Sequence, residues 1–126
     1  MEFWLLAGLG VYLLQVYGVT IIYMPTEGLM NHMGSRDNLP EKGVMTERMD
    51  RALVNMKENL PLFITLGLMV LIVEGADQAL AVKGAMIWVL ARLAYVVLYL
   101  ISIPLTRSVA WTVSMVGLVM MLVSVL

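Results

Sequence analysis

Four apolar segments within 126 residues constrain this chain more than any other feature. Residues 3–24 form an uncharged run of 22, closed by Pro25, and residues 108–126 are also uncharged throughout. Both suit a hydrocarbon core of about 30 Å at roughly 1.5 Å of rise per residue. Residues 84–103 make a run of 20 with one charge, Arg92, in the interior. The remaining run, Leu60 to Val73, has 14 residues and is too short to cross alone. Its helix must therefore begin upstream and carry Asn55, Lys57 and Glu58 into the membrane interface or deeper. Helices are predicted over about 3–24, 47–73, 79–101 and 107–126.

Composition agrees and closes off other classes. A chain that is 61% hydrophobic and 13% charged, with a mean hydropathy of +0.90, is an integral membrane protein. Four crossings use most of its length, which leaves a single unit, residues 1–126, and no separate soluble domain. With 8 Lys+Arg against 9 Asp+Glu there is no basic field to gather nucleic acid. With no cysteine there is no disulfide framework, thiolate metal site or internal catalytic thiol. Any thiol chemistry must come from a bound molecule. The start of the chain carries Glu2 where a signal peptide carries basic residues, and its long apolar run is read as the first membrane helix.

The one sizeable loop, from Thr26 to about Thr46, contains Gly28, Gly34, "SRDN" and Pro40, all turn chemistry. The other connections, "EGADQ" at 74–78 and "SIPLT" at 102–106, are short, so consecutive helices are antiparallel neighbours in an up-down four-helix transmembrane bundle. Arg36, Lys42, Arg48, Arg51, Lys57 and Arg107 flank the side of the first and third connections, against Lys83 alone on the other. The first and third loops are therefore expected in the cytoplasm, with both termini outside.

The polar residues inside this apolar frame are ordered. Arg51, Asn55 and Glu58 are spaced i, i+4, i+7, about 700° of helical rotation, and share one face. Arg92, Tyr95 and Tyr99 form a similar stripe on the third membrane helix, aimed at the same end of the bundle. Arg107 and Ser108 open the fourth membrane helix at that level, where unpaired backbone N–H groups favour an anion. Plainer roles suit several of these residues. The Arg51 stripe also fits an interfacial salt-bridged face, Tyr95, Tyr99 and Trp111 fit an aromatic belt, and Arg107 fits a cytoplasmic flank. Arg92 is different, because a charge at its depth costs about 2.5 to 3.5 kcal/mol and needs a partner or a wet cavity. Gln15 on the first helix lies at similar depth and is a candidate neighbour for it. His32, with no partner at ligand spacing, and Gly8-Leu9-Gly10, inside a membrane helix, are assigned no role, and no metal site is expected.

"ERMDRALVNMKENLPLF", residues 47–63, resembles the second-helix pattern E-R-x-x-R-x-x-x-N-x-x-E-x-x-P-L-F of the membrane-associated proteins in eicosanoid and glutathione metabolism. "ARLAYVVLYLISIPLTRS" is similar to that family's R-x-x-Y-x-x-x-Y, loop and R-S, and "GSRD" is similar to its small bacterial members. The resemblance spans essentially the whole chain in helix number and motif order. It implies a homotrimer in a bacterial inner membrane, with glutathione between neighbouring subunits near the cytoplasmic face. By that resemblance Arg51 pairs with a glutathione carboxylate, Asn55 hydrogen-bonds its backbone, and Glu58 takes its ammonium. Tyr95 and Tyr99 line the tripeptide, Arg107 holds the sulfur, and Ser108 adds a hydrogen bond to it. Two positions depart from the pattern. Asn59 stands where conjugating members carry an aromatic residue, and no Arg closes the first helix, the nearest being Arg36.

The expected activity is therefore that of a glutathione-dependent transferase or peroxidase, acting on lipophilic electrophiles or hydroperoxides that reach it through membrane lipid. Glutathione serves as co-substrate. A non-catalytic lipid-binding or scaffolding protein of the same fold is the alternative. A small multidrug transporter fits less well, since it would want a carboxylate within residues 3–24.

Overall fold

The computed structural model describes residues 1–103 and 105–126; Pro104, in the third connection, lies outside the described residues. The described chain is all-helical: α1 (Glu2–Glu27), α2 (Leu29–Met33), α3 (Val44–Ile72), α4 (Gln78–Leu100) and α5 (Thr106–Val123). α1, α3, α4 and α5 are each long and apolar enough to cross a membrane. They carry exposed Leu, Ile, Val and Phe side chains on their outer faces, such as Phe3, Ile21, Leu90 and Val119. Such a surface suits lipid, where an apolar exterior has no cost.

The contacts give the order of the bundle. Gly8 of α1 meets Phe63 of α3, and Gly18 meets Met49, so these helices run antiparallel. Gln78 at the start of α4 donates to the Val70 carbonyl near the end of α3, while Arg48 near the start of α3 donates to the Leu100 carbonyl at the end of α4. α4 and α5 form the most extensive pair, and α1 packs on α3 and α4. The up-down arrangement expected from the short connections is the one observed.

Lipid tails are as apolar as the helices, so close packing must hold them together. At Gly84 and Gly117, α4 and α5 approach backbone to backbone. A Cβ on Gly84 would lie 2.6 Å from the Gly117 carbonyl oxygen, and one on Gly117 would lie 2.5 Å from that of Gly84. On the other side of α4, Trp88 stacks on Phe63 with ring centroids 3.9 Å apart and planes 6° from parallel. Gly8, which has no assigned role in the sequence, sits against this pair, where a Cβ would fall 3.2 Å from Trp88 and closer still to Phe63. The far end of the bundle is stapled by Asp77, whose side chain caps α4 through the Leu80 N–H and whose own N–H donates to the Ser124 carbonyl.

The end of the first helix differs from expectation. Pro25 does not close α1; the helix continues to Glu27, and the Gly28 N–H still reaches the Met24 carbonyl at 2.8 Å. Proline removes one helical donor, and in a last turn that loss is local. The following loop also contains α2, which carries His32. Its Nδ1 lies 2.7 Å from the buried carboxylate of Glu27, and Arg36 closes on the same carboxylate at 3.6 Å. Lys42 pairs with Asp50, and the Tyr23 hydroxyl donates to the Pro40 carbonyl at 2.6 Å, so this loop is tied back onto α1 and α3.

Candidate functional site

α3, α4 and α5 open a cleft of about 490 Å³ at the end of the bundle that carries the first and third connections. It is lined by Asn55 of α3, Tyr95 and Tyr99 of α4, and Arg107, Ser108, Trp111 and Thr112 of α5. Helical periodicity explains the grouping. Tyr95 and Tyr99 are one turn apart on α4, and Ser108 and Thr112 are one turn apart on the facing side of α5.

Within the cleft the two tyrosine rings lie 5.5 Å apart at a tilt of 57°. The Arg107 guanidinium carbon stands 4.9 Å from the centre of the Tyr99 ring, a cation–π distance that places the cation at the mouth of the cleft. α5 begins here with Leu105 as N-cap, held at a φ of 67° and offering no side-chain hydrogen bond to the first turn. Among the described residues no side chain caps the first turn of α5, and the positive end of the helix dipole adds to the charge of Arg107. Tyrosine and serine hydroxyls, an amide, a guanidinium and the positive end of a helix make a donor-rich site suited to an anion.

Five of the sequence-predicted residues, Asn55, Tyr95, Tyr99, Arg107 and Ser108, meet in this cleft. Arg51 and Glu58 lie on the same helix as Asn55 but outside the cleft lining of the single chain, both exposed. Arg51 approaches Glu47 one turn away at 3.5 Å. Trp111 and Thr112 complete the wall; the i+4 step from Ser108 could have found Thr112, whereas Trp111 resembles any interfacial aromatic. Asn59 is buried, with its Nδ2 donating to the Asn55 carbonyl at 2.8 Å.

Arg92 lies beneath the cleft. It is 1% exposed, and its Nη1 donates to Asn55 Oδ1 at 2.5 Å. The partner is thus Asn55 and not Gln15, whose Nε2 turns back to the Val11 carbonyl and whose Oε1 has no hydrogen-bond partner among the described residues. The amide of Gln15 on the first helix is equivalent in sequence terms, and only the packing of α3 on α4 separates the two.

Four helices long and apolar enough to cross a membrane, with a polar cleft set into one end of their bundle, define an integral membrane protein. The profile of the MAPEG family matches residues 1–126, and the chain belongs to that family. The family covers glutathione-related transferases together with related membrane proteins, some of them non-catalytic. Comparisons with curated proteins and with solved structures each return no match.

Proposed function

We propose that this protein is a glutathione-dependent transferase or peroxidase for lipophilic electrophiles or hydroperoxides dissolved in the membrane. The observation that carries this reading is the convergence of Arg107, Ser108 and the uncapped start of α5 on a cleft that opens beside apolar, lipid-exposed helix faces. A free thiol has a pKa of about 8.5, so only a small fraction is thiolate near neutrality. Arg107 stays protonated and cannot act as the base, but its charge and the helix N-terminus lower the energy of a thiolate beside them. The thiol proton leaves to water at the loop side.

In conjugation the thiolate sulfur bonds to the electrophilic carbon as that carbon's leaving group departs or its π or epoxide bond opens. In peroxide reduction the sulfur attacks the O–O bond. A second glutathione thiol completes a disulfide, and the products are an alcohol and water. Asn55, Tyr95 and Tyr99 bind the tripeptide in this scheme, with Arg51 and Glu58 joining from the rim once a neighbouring chain covers them. The bound molecule sits between the chains of a homotrimer in a bacterial inner membrane, with the first and third loops in the cytoplasm.

Two apolar grooves of about 450 and 360 Å³, one between α4 and α5 and one between α3 and α5, favour the second reading, a protein that holds lipid without turning it over. Purified protein assayed for glutathione binding and for turnover with 1-chloro-2,4-dinitrobenzene and cumene hydroperoxide separates the two. The transferase or peroxidase reading requires saturable turnover. Bound glutathione with no turnover on either substrate transfers the assignment to the binding protein.

A further inference from the structure

We infer that Arg92 is a positioning residue: it holds the Asn55 side chain by its oxygen and so turns the amide NH2, a donor, toward the cleft. A guanidinium carries donors only, so the Asn55 atom facing Arg92 Nη1 must be the oxygen, and the orientation of the amide is settled by chemistry. With Oδ1 engaged and Asn55 lining the cleft, the group left for a ligand is Nδ2, which makes no hydrogen bond among the described residues. The ligand atom at this position must then be an acceptor, a carboxylate or amide oxygen.

Two further observations point the same way. The guanidinium carbon of Arg92 lies 5.5 Å from the Trp88 ring and 5.8 Å from the ring of Tyr95, itself a lining residue, so aromatic faces hold the cation behind the cleft. Among the described residues its Nε and Nη2 are buried with no hydrogen-bond partner and no acidic side chain pairs with it. The one side chain Arg92 does bond belongs to the cleft.

This inference rests on the proposed glutathione reading for its ligand but not for its geometry, and the test separates the two. Glutathione binding is measured calorimetrically in nanodiscs for the wild type, Arg92→Met, Asn55→Ala and the double variant. Arg92→Met and Asn55→Ala are each expected to weaken binding about tenfold, and the double variant no more than either alone, because both changes remove one device. Asn55→Asp keeps an acceptor for Arg92 but offers the ligand an acceptor in place of a donor; it is expected to fold and to lose binding at least tenfold, which decides the matter should Arg92→Met fail to fold.

The side-chain amide resonance of Asn55, followed by isotope labelling of asparagine without ligand, should move in Arg92→Met and stay near its wild-type position in Arg92→Gln, which can still donate to Oδ1. An unmoved resonance in both variants, wild-type affinity in Asn55→Asp, or additive losses in the double variant would overturn the inference while leaving the transferase reading intact. A wild type that does not bind glutathione, with the resonance responding as stated, removes that reading and sustains the positioning role.

Discussion

The guanidinium of Arg107 rests over the ring of Tyr99 at 4.9 Å, tying the first turn of α5 to the last turn of α4 at the mouth of the cleft. The contact does more than fill space. Arg107 is exposed, and a long side chain at a helix start samples several rotamers unless a neighbour selects one. A cation–π contact at such a site contributes about 0.5 to 1 kcal/mol, which corresponds to a two- to fivefold change in the population of the held rotamer. Tyr99→Leu is therefore expected to lower turnover with glutathione by that factor, and Tyr99→Phe, which keeps the ring, to stay within about twofold of wild type. Steady-state kcat at saturating glutathione distinguishes them. Equal losses in the two variants would assign the effect to the hydroxyl.

Packing at Gly84 and Gly117 makes a separate prediction about stability. Each glycine faces the other's carbonyl oxygen, so a methyl group at either position forces α4 and α5 apart. Overpacking of this kind costs about 1 to 3 kcal/mol. Gly117→Ala should lower the thermal midpoint in detergent by several degrees, whereas Gly10→Ala, where a Cβ meets nothing within 4 Å, should leave it unchanged or raise it. A Gly117→Ala protein as stable as wild type would mean that the two helices can separate at this crossing without loss.

The contrast between these two pairs explains what the sequence discloses. The four membrane helices are legible because lipid imposes a length on any apolar segment, and α3 had to extend to the polar residues before Leu60 for the same reason. The cleft residues are legible because helical spacing places Tyr95 with Tyr99 and Arg107 beside Ser108. Relationships across helices are not legible in this way. Nothing in spacing distinguishes Asn55 from Gln15 as the partner of Arg92, or marks Gly8 as the seat of the Phe63–Trp88 stack. The end of α1 is not legible because Pro25 looks like a helix stop, yet the last turn can lose one N–H and carry Glu27 on to meet His32.

Lys57 and Glu58 bear on assembly. Both are exposed on α3 immediately before its apolar run, and a carboxylate at that depth is costly unless something covers it. A trimer in which a neighbour covers this face is the expected state, with a mass three times that of the 14.0 kDa chain when measured in nanodiscs. Magnitude then decides where Glu58 sits. If a neighbour buries its pairing with the glutathione ammonium, Glu58→Ala should weaken glutathione binding by about 2 to 5 kcal/mol. A pair left at a solvated rim would lose about 1 kcal/mol or less. A monomer with full activity would contradict a site shared between chains.

Arg107 provides the sharpest separation of catalyst from binding protein. If its charge stabilises the thiolate, Arg107→Ala should raise the pKa of the thiol of bound glutathione and depress turnover, while tripeptide binding through Asn55, Tyr95 and Tyr99 persists. The sign follows from charge: removing a cation disfavours the anionic form, so the thiolate appears only at higher pH. Loss of one preorganised contact to a developing or resident anion costs roughly 3 to 4 kcal/mol in the transition state, about a hundredfold to a thousandfold in rate. Arg107→Lys keeps the charge but loses the planar fork and its stacking on Tyr99, and should fall between the two. Ultraviolet absorbance of bound thiolate, followed against pH in the three proteins, measures the shift directly. Superimposable titration curves with equal turnover would remove Arg107 from the chemistry and leave Ser108 and the start of α5 to activate the sulfur.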